Sequence, residues 1–544
     1  MFSPFTLQLG TNYCPTDEEV VEIKALLIEP TLKVKRLDNE IAELQRAIDK
    51  LAEERDGLVA YTEAHKALIT PIRRLPLDII QEIFVACLPT RRNCVMSARE
   101  APVLLGRICS SWRALSLSIP RLWARLHVVV PTRDFNTLST FDAKYAQRLE
   151  TTKTWLSRAG TCPLSLSLKA GHDYVGGPSP PLHISGLFIQ ALISLSSRWH
   201  DINFSIPASA TEFLSHLNEN DVPILQDVTI NEYPEAGHPL AGPTQWAFLG
   251  FFCGPRISKL SVSGTALGMV SELPIRWGQL TTLALGLAYG PDHQMTFTSR
   301  RAQQILSRCP ELRICRLTVW DFSDEEDLEG AIIECPLLNT LELSCVGIPA
   351  ITLRQMFNHL SLPELRHFKL RGDSDPDSPH LLSFSSFLAV STRLESVDIW
   401  TNTFSGASLV ELLRGLPPTI VRLNITHIWA GPITLDEDIL VILTASDNLP
   451  PCCPALRELI LSQCRDLSDA ALMRFITCRM TSESCSPLER VEAEFMRESE
   501  LDLPARLRPF MEAGLILTLK YAPPAGVLYS PWLGLDDASE HGLP

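Results

Sequence analysis

The chain has 544 residues, 45% of them hydrophobic and 20% charged, a balance that excludes a disordered protein and predicts several folded domains. Its formal net charge of −15 argues against a general nucleic-acid binder, and no long uncharged apolar run is present to span a membrane. Met1-Phe2-Ser3-Pro4-Phe5 lacks the basic and apolar regions of a secretory signal, and 15 scattered cysteines suit reduced thiols in a cytosolic or nuclear protein better than a disulfide framework.

Residues 1–30 read as a weakly ordered acidic leader. Over 31–68 the sequence turns helical, with Leu37, Ile41, Leu44, Ile48, Leu51 and Leu58 at heptad steps and Arg55 in one apolar slot. Two readings stay open for this stripe: a homodimer through residues 31–68, or a single amphipathic helix folded against its own chain.

Residues 71–127 form a compact helical unit. Thr70-Pro71 is a break, and Leu75-Pro76-Leu77-Asp78 opens a helix with Ile79, Ile80, Ile83, Phe84 and Cys87 at helical spacing. After a polar loop over 90–101, Pro102 starts a second helix bearing Leu104, Leu105, Ile108, Cys109, Trp112 and Leu115. Nine arginines against Asp78, Glu82 and Glu100 give residues 71–130 a charge of +6 in an otherwise acidic chain, the mark of a module with an acidic partner.

Leu75-Pro76, the Asp78-Ile79-Ile80-x-x-Ile83-Phe84 helix, Cys109-x-x-Trp112-Arg113 and Pro120-x-Leu122-Trp123 together resemble the F-box family, in the form found in mushroom-forming fungi. The resemblance covers about residues 31–130.

The rest resembles a degenerate leucine-rich repeat. Leu-x-x-Leu-x-Leu strands start at Leu280, Leu312, Leu338, Leu365, Leu394, Ile420 and Leu456, with weaker copies at Trp199, Leu225, Ile257 and Leu488. The steps run from 23 to 36 residues, and apolar helical stretches such as 299–306 and 407–413 lie between. "Cys-Pro-x-Leu" at 309–312, 335–338 and 453–456 marks the turn entering a strand. The expected fold is thus α+β and multidomain: a long helix, a small all-α F-box over 71–127, an α/β solenoid over 155–520, and a flexible tail over 521–544.

No phosphate-binding loop or nucleophile elbow is present, and no cofactor is expected. Gly171–Gly177, followed by Pro178, Pro180 and Pro181, reads as a surface loop. Cys452, Cys453, Cys464, Cys478 and Cys485 lack zinc spacing, and the runs Glu325-Glu326-Asp327 and Asp436-Glu437-Asp438 read as solvated helix starts. Cys464 lies beside Arg465, as a thiol for ubiquitin transfer would need a basic neighbour, but nothing around it resembles a transferase.

The resemblance implies a non-catalytic substrate receptor of a cullin–RING ubiquitin ligase. Carried over by position, the box would bind the ligase adaptor through Leu75, Pro76, Ile79, Ile80, Ile83 and Phe84, and through Leu105, Cys109 and Trp112. Internal packing is the competing role for Ile80 and Leu105. A protein substrate would meet the concave face of the repeats at Ser261, Arg316, Glu342, Lys369, Asp398, Trp400 and Asn424. Trp400 is the expected anchor, or else a lid on the sheet, and the acidic balance points to a basic target. The alternative is a repeat scaffold with a diverged box and no ligase role.

Overall fold

The computed structural model describes residues 3–131, 138–170, 184–233, 249–264, 273–287, 297–320, 332–348, 350–373, 387, 390–401, 404, 406–427, 437–444 and 452–522. The glycine–proline loop after residue 170, the acidic run 325–327, Asp436 and the tail beyond residue 522 lie outside them. The chain divides into two compact units, Met1–Ile83 and Phe84–Pro544.

The first unit is dominated by one helix, Asp17–Leu68. Thr16 caps it: its hydroxyl accepts from the Glu19 N–H, while the Glu19 carboxylate accepts from the Thr16 N–H at 2.8 Å. Asp17, Glu18 and Glu19 place negative charge on the positive helix end. The cap therefore moves the helix start 14 residues ahead of the expected one, and the expected leader 1–30 shrinks to about its first half. Thr70-Pro71 ends the helix as expected, and a tight turn Pro71–Arg74 leads to the helix Leu77–Ala86.

The second helix expected from Pro102 is instead two short ones, Leu105–Ile108 and Ser110–Ser118. Cys109 between them is extended (φ −156°, ψ 170°), and its Sγ accepts from the Trp112 N–H at 3.4 Å. A cap replaces the expected mid-helix position, so the single stripe drawn through Leu104 and Leu115 does not exist.

The turn Pro120–Trp123 then feeds directly into a sheet. Fourteen strands lie side by side in chain order, all neighbours parallel: Arg125–Val129, Leu164–Lys169, Trp199–Pro207, Asp227–Tyr233, Lys259–Gly264, Thr282–Leu287, Ile314–Trp320, Thr340–Val346, His367–Asp373, Ser396–Trp400, Arg422–Thr426, Glu458–Cys464, Arg490–Phe495 and Ile516–Lys520. Ile333–Glu334 and Leu360–Ser361 form a separate two-stranded piece. A parallel neighbour requires a crossover, and helices such as Leu138–Arg158, Ser299–Leu306 and Asp469–Thr481 lie in these connections.

Strand alternation makes the core. Leu341 and Leu343 are buried while Thr340, Glu342 and Ser344 stay half-exposed, and the same pattern holds for Leu423 and Ile425 against Asn424. Each of the eleven strand starts read from the sequence leads into one of these strands. Three strands were not expected. Arg125–Val129 was assigned to the helical unit, Leu164–Lys169 alternates clearly but lacks the Leu-x-x-Leu spacing, and Ile516–Lys520 follows the left-handed turn at Gly514 (φ +114°).

These additions move a boundary. The polar loop over 90–101 is tied to the first strand: the Arg125 guanidinium donates to the Pro89 and Arg92 carbonyls at 2.8 Å each, and the His127 N–H donates to the Cys94 carbonyl at 2.7 Å. Trp123 is buried, donates through Nε1 to the Ser116 carbonyl at 2.8 Å, and meets Trp155 edge-on at 4.8 Å. The segment after Phe84 thus closes the N-terminal end of the sheet rather than standing apart from it.

The opposite end is held by polar groups. Asp469 is fully buried and accepts from the Glu500 and Leu501 N–H groups at 2.8 and 2.9 Å and from Arg497 at 2.7 Å. Arg479, also fully buried, donates to the carbonyls of Leu443, Cys453 and Leu456. No described helix is long and apolar enough to cross a membrane.

Candidate protein-interaction surfaces

The residues expected to bind an adaptor separate into outward and inward sets. In the first unit Pro76 and Ile79 are exposed, Leu75 and Ile83 half-buried, and Ile80 buried. In the second unit Phe84 and Leu105 are buried; the Phe84 ring lies 4.7 Å from that of Trp112, which is half-buried. Ile80, Phe84 and Leu105 therefore serve packing, and Trp112 is partly committed to Phe84. Cys109 is exposed but spends its sulfur on the cap.

Large apolar side chains remain in solvent beside them. Leu77 (66%) and Ile79 (46%) do so in the first unit, and Leu104 (41%), Ile108 (55%) and Leu117 (43%) in the second. Leu77, Leu104, Ile108 and Leu117 were not among the expected contacts; for Ile108 the reason is that a continuous helix would have turned it into the same stripe as Leu105.

On the sheet, the register collects the expected residues. Ser261 pairs with Ala284, which pairs with Arg316, and the rank continues through Glu342, Lys369, Asp398 and Asn424. Six of the seven expected substrate residues thus stand in one row across the open face. Trp400 lies two residues beyond Asp398, in the next rank, with the Arg371 guanidinium 5.1 Å above its ring. That stacking makes it a partly covered platform rather than a free anchor.

The row is an alternating ladder of charge. Arg316 pairs with Glu342 at 2.8 Å and Lys369 with Asp398 at 3.0 Å. Along the strand entrances Arg366 pairs with Glu395, Arg422 with Glu458 and Arg457 with Glu489. The row is locally neutral, because cross-strand neighbours of opposite sign offset one another.

Two acceptors are left over. Asp398 Oδ1 and Asn424 Oδ1, register partners on adjacent strands, are buried atoms without a hydrogen-bond partner among the described residues. Asp398 helps to line a shallow open-face hollow of about 340 Å³, together with Glu342, Lys369 and Arg422. A buried acceptor without a donor costs free energy.

Several thiols are placed for packing. Cys309, Cys315, Cys335, Cys345 and Cys453 are buried. Cys464 is buried too, and burial pushes its thiol up to about 12, the opposite of the activation that transfer chemistry needs.

No family model matches the chain, and no curated protein does. Among solved structures, a Bacteroides fragilis protein from a structural genomics consortium is similar at a TM-score of 0.27 and 11% identity, over 49% of this chain and 66% of that one. The chain thus spans just under two-thirds of that protein, and a likeness so slight carries no argument.

Proposed function

We propose that this chain is the substrate receptor of a cullin–RING ubiquitin ligase, an F-box joined to a leucine-rich-repeat solenoid. The observation that carries the reading is the set of apolar side chains left in solvent by the short helices, at and beside the positions where the F-box resemblance places adaptor contacts. Four exposed Leu and Ile residues on helices of ten residues or fewer, and Leu104 just ahead of one of them, are costly in a free monomer and suit being covered by a partner. Leu75, Pro76, Leu77, Ile79 and Ile83 serve the adaptor from the first unit, and Leu104, Ile108 and Leu117 from the second. Ile80, Phe84 and Leu105 hold the helices in shape.

The repeats hold the target on the open face of the sheet. Ser261, Arg316, Glu342, Lys369, Asp398 and Asn424 form the contact row, and the free acceptors of Asp398 and Asn424 receive a donor from the target. The receptor acts by proximity, raising the effective concentration of the target near a charged ubiquitin-conjugating enzyme, and the transfer chemistry belongs to other subunits.

Co-purification of the full chain with the ligase adaptor tests this. The expected result is stoichiometric capture by the wild type, lost in Leu77→Asp/Ile108→Asp and kept in Asp398→Ala/Asn424→Ala. Because Leu77 and Ile108 are exposed, their replacement leaves the fold intact, which circular dichroism checks. Absence of capture by the folded wild-type chain overturns the reading and leaves a repeat scaffold without a ligase role.

A further inference from the structure

The helix Asp17–Leu68 carries a stripe that no described residue covers. Continuing the heptad in both directions sets Val34, Ile41, Ile48, Arg55 and Thr62 at one seam position and Leu37, Leu44, Leu51, Leu58 and His65 at the other. The apolar members from Val34 to Leu58 are 49–66% exposed, and every side chain from Thr31 to Lys66 except Ala52 is exposed. A helix folded against its own chain would bury this seam.

We infer that the seam pairs with that of a second copy of the chain, in a parallel two-stranded coiled coil over residues 34–58. The composition of the seam selects this arrangement. Valine and isoleucine at the first position with leucine at the second favour two parallel strands over higher oligomers. The flanking charges agree. In a parallel pair Lys33 of one copy faces Asp38 of the other, twice by symmetry, and the next facing pairs are Glu40–Gln45, Ala47–Ala52 and Glu54–Val59. None sets like charges together. Turning one helix over, with the stripes fully overlapped, would instead oppose Glu40 and Glu54 twice.

Arg55 in the seam specifies register at a cost in stability. In the single copy it bonds its neighbour Asp56 at 2.7 Å, exposed to solvent. In the pair it lies beside Glu54 of the second copy, which offsets its charge. The dimer then joins two copies of the chain, and this inference holds whether or not the adaptor is bound.

Sedimentation equilibrium of the full chain is the test. The expected mass at micromolar concentration is about twice 60.5 kDa. Ile41→Asp/Ile48→Asp gives a monomer whose sheet melts as the wild type does. Arg55→Leu tightens the dimer at least about tenfold, whereas a solitary solvated helix would show no change. Under mild oxidation Leu37→Cys forms an intermolecular disulfide that the wild type does not, since the antiparallel arrangement holds these positions about 27 Å apart. A wild-type monomer at tens of micromolar, a dimer untouched by Ile41→Asp/Ile48→Asp, or failure of the Leu37→Cys cross-link overturns the proposal.

Discussion

Asp469 shows how one buried carboxylate holds the last turns of the sheet. Burial alone would raise its pKa, but the N–H groups of Leu501 and Glu500 and the Arg497 guanidinium outweigh it and hold the group below the usual carboxylate range. Because the folded value lies below the unfolded one, the stabilisation is fully present above pH ~4 and is lost as pH falls through the folded value. Asp469→Asn keeps the shape but not the charge, and is expected to cost about 2 kcal/mol at pH 7. Urea midpoints measured from pH 7 downward should show the two proteins converging below pH ~4; a pH-independent gap would remove the charge from the explanation. Nothing in the local sequence around Asp469 announces this role. The partners of Asp469 stand 28 to 52 residues away, at Arg497, Leu501 and Tyr521, and no local pattern joins them.

Strands and helices were unequally legible at the level of elements. A strand buried on one face writes its period into the chain, so Leu338, Leu341 and Leu343 announced Thr340–Val346. The row of expected substrate residues followed from the same period, since equal offsets from the Leu-x-x-Leu-x-Leu motif become one rank when strands pair in register. Their neutralisation did not follow, because it depends on which strands are neighbours. The break at Cys109 was hidden for the converse reason: Leu105, Ile108 and Trp112 keep helical spacing on both sides of a cap. That cap is testable. Cys109→Ser, a better N-cap, should hold or raise the melting temperature, while Cys109→Ala should cost about 1 kcal/mol. Both variants should still capture the adaptor if the sulfur serves the helix and not the contact. Loss of capture in a folded Cys109→Ser protein would return Cys109 to the docking surface.

Across the second unit, strands in chain order mean that each strand packs chiefly on the two beside it. Stability in such an array is a sum of local and nearest-neighbour contributions, and damage at one end does not reach the other. Arg479 offers the means to see it. Its guanidinium ties the carbonyls of Cys453 and Leu456, which lead into the strand Glu458–Cys464, to the helix Asp469–Thr481. Arg479→Met keeps much of the volume and abandons those carbonyls, a loss of about 3 kcal/mol. Native-state hydrogen exchange should then show lowered protection in Glu458–Cys464 and Arg490–Phe495, with Arg125–Val129 and Leu164–Lys169 unchanged. Uniform loss of protection along all fourteen strands would mean instead that the unit unfolds as one cooperative body, and that a target held on its open face would feel a mutation at either end.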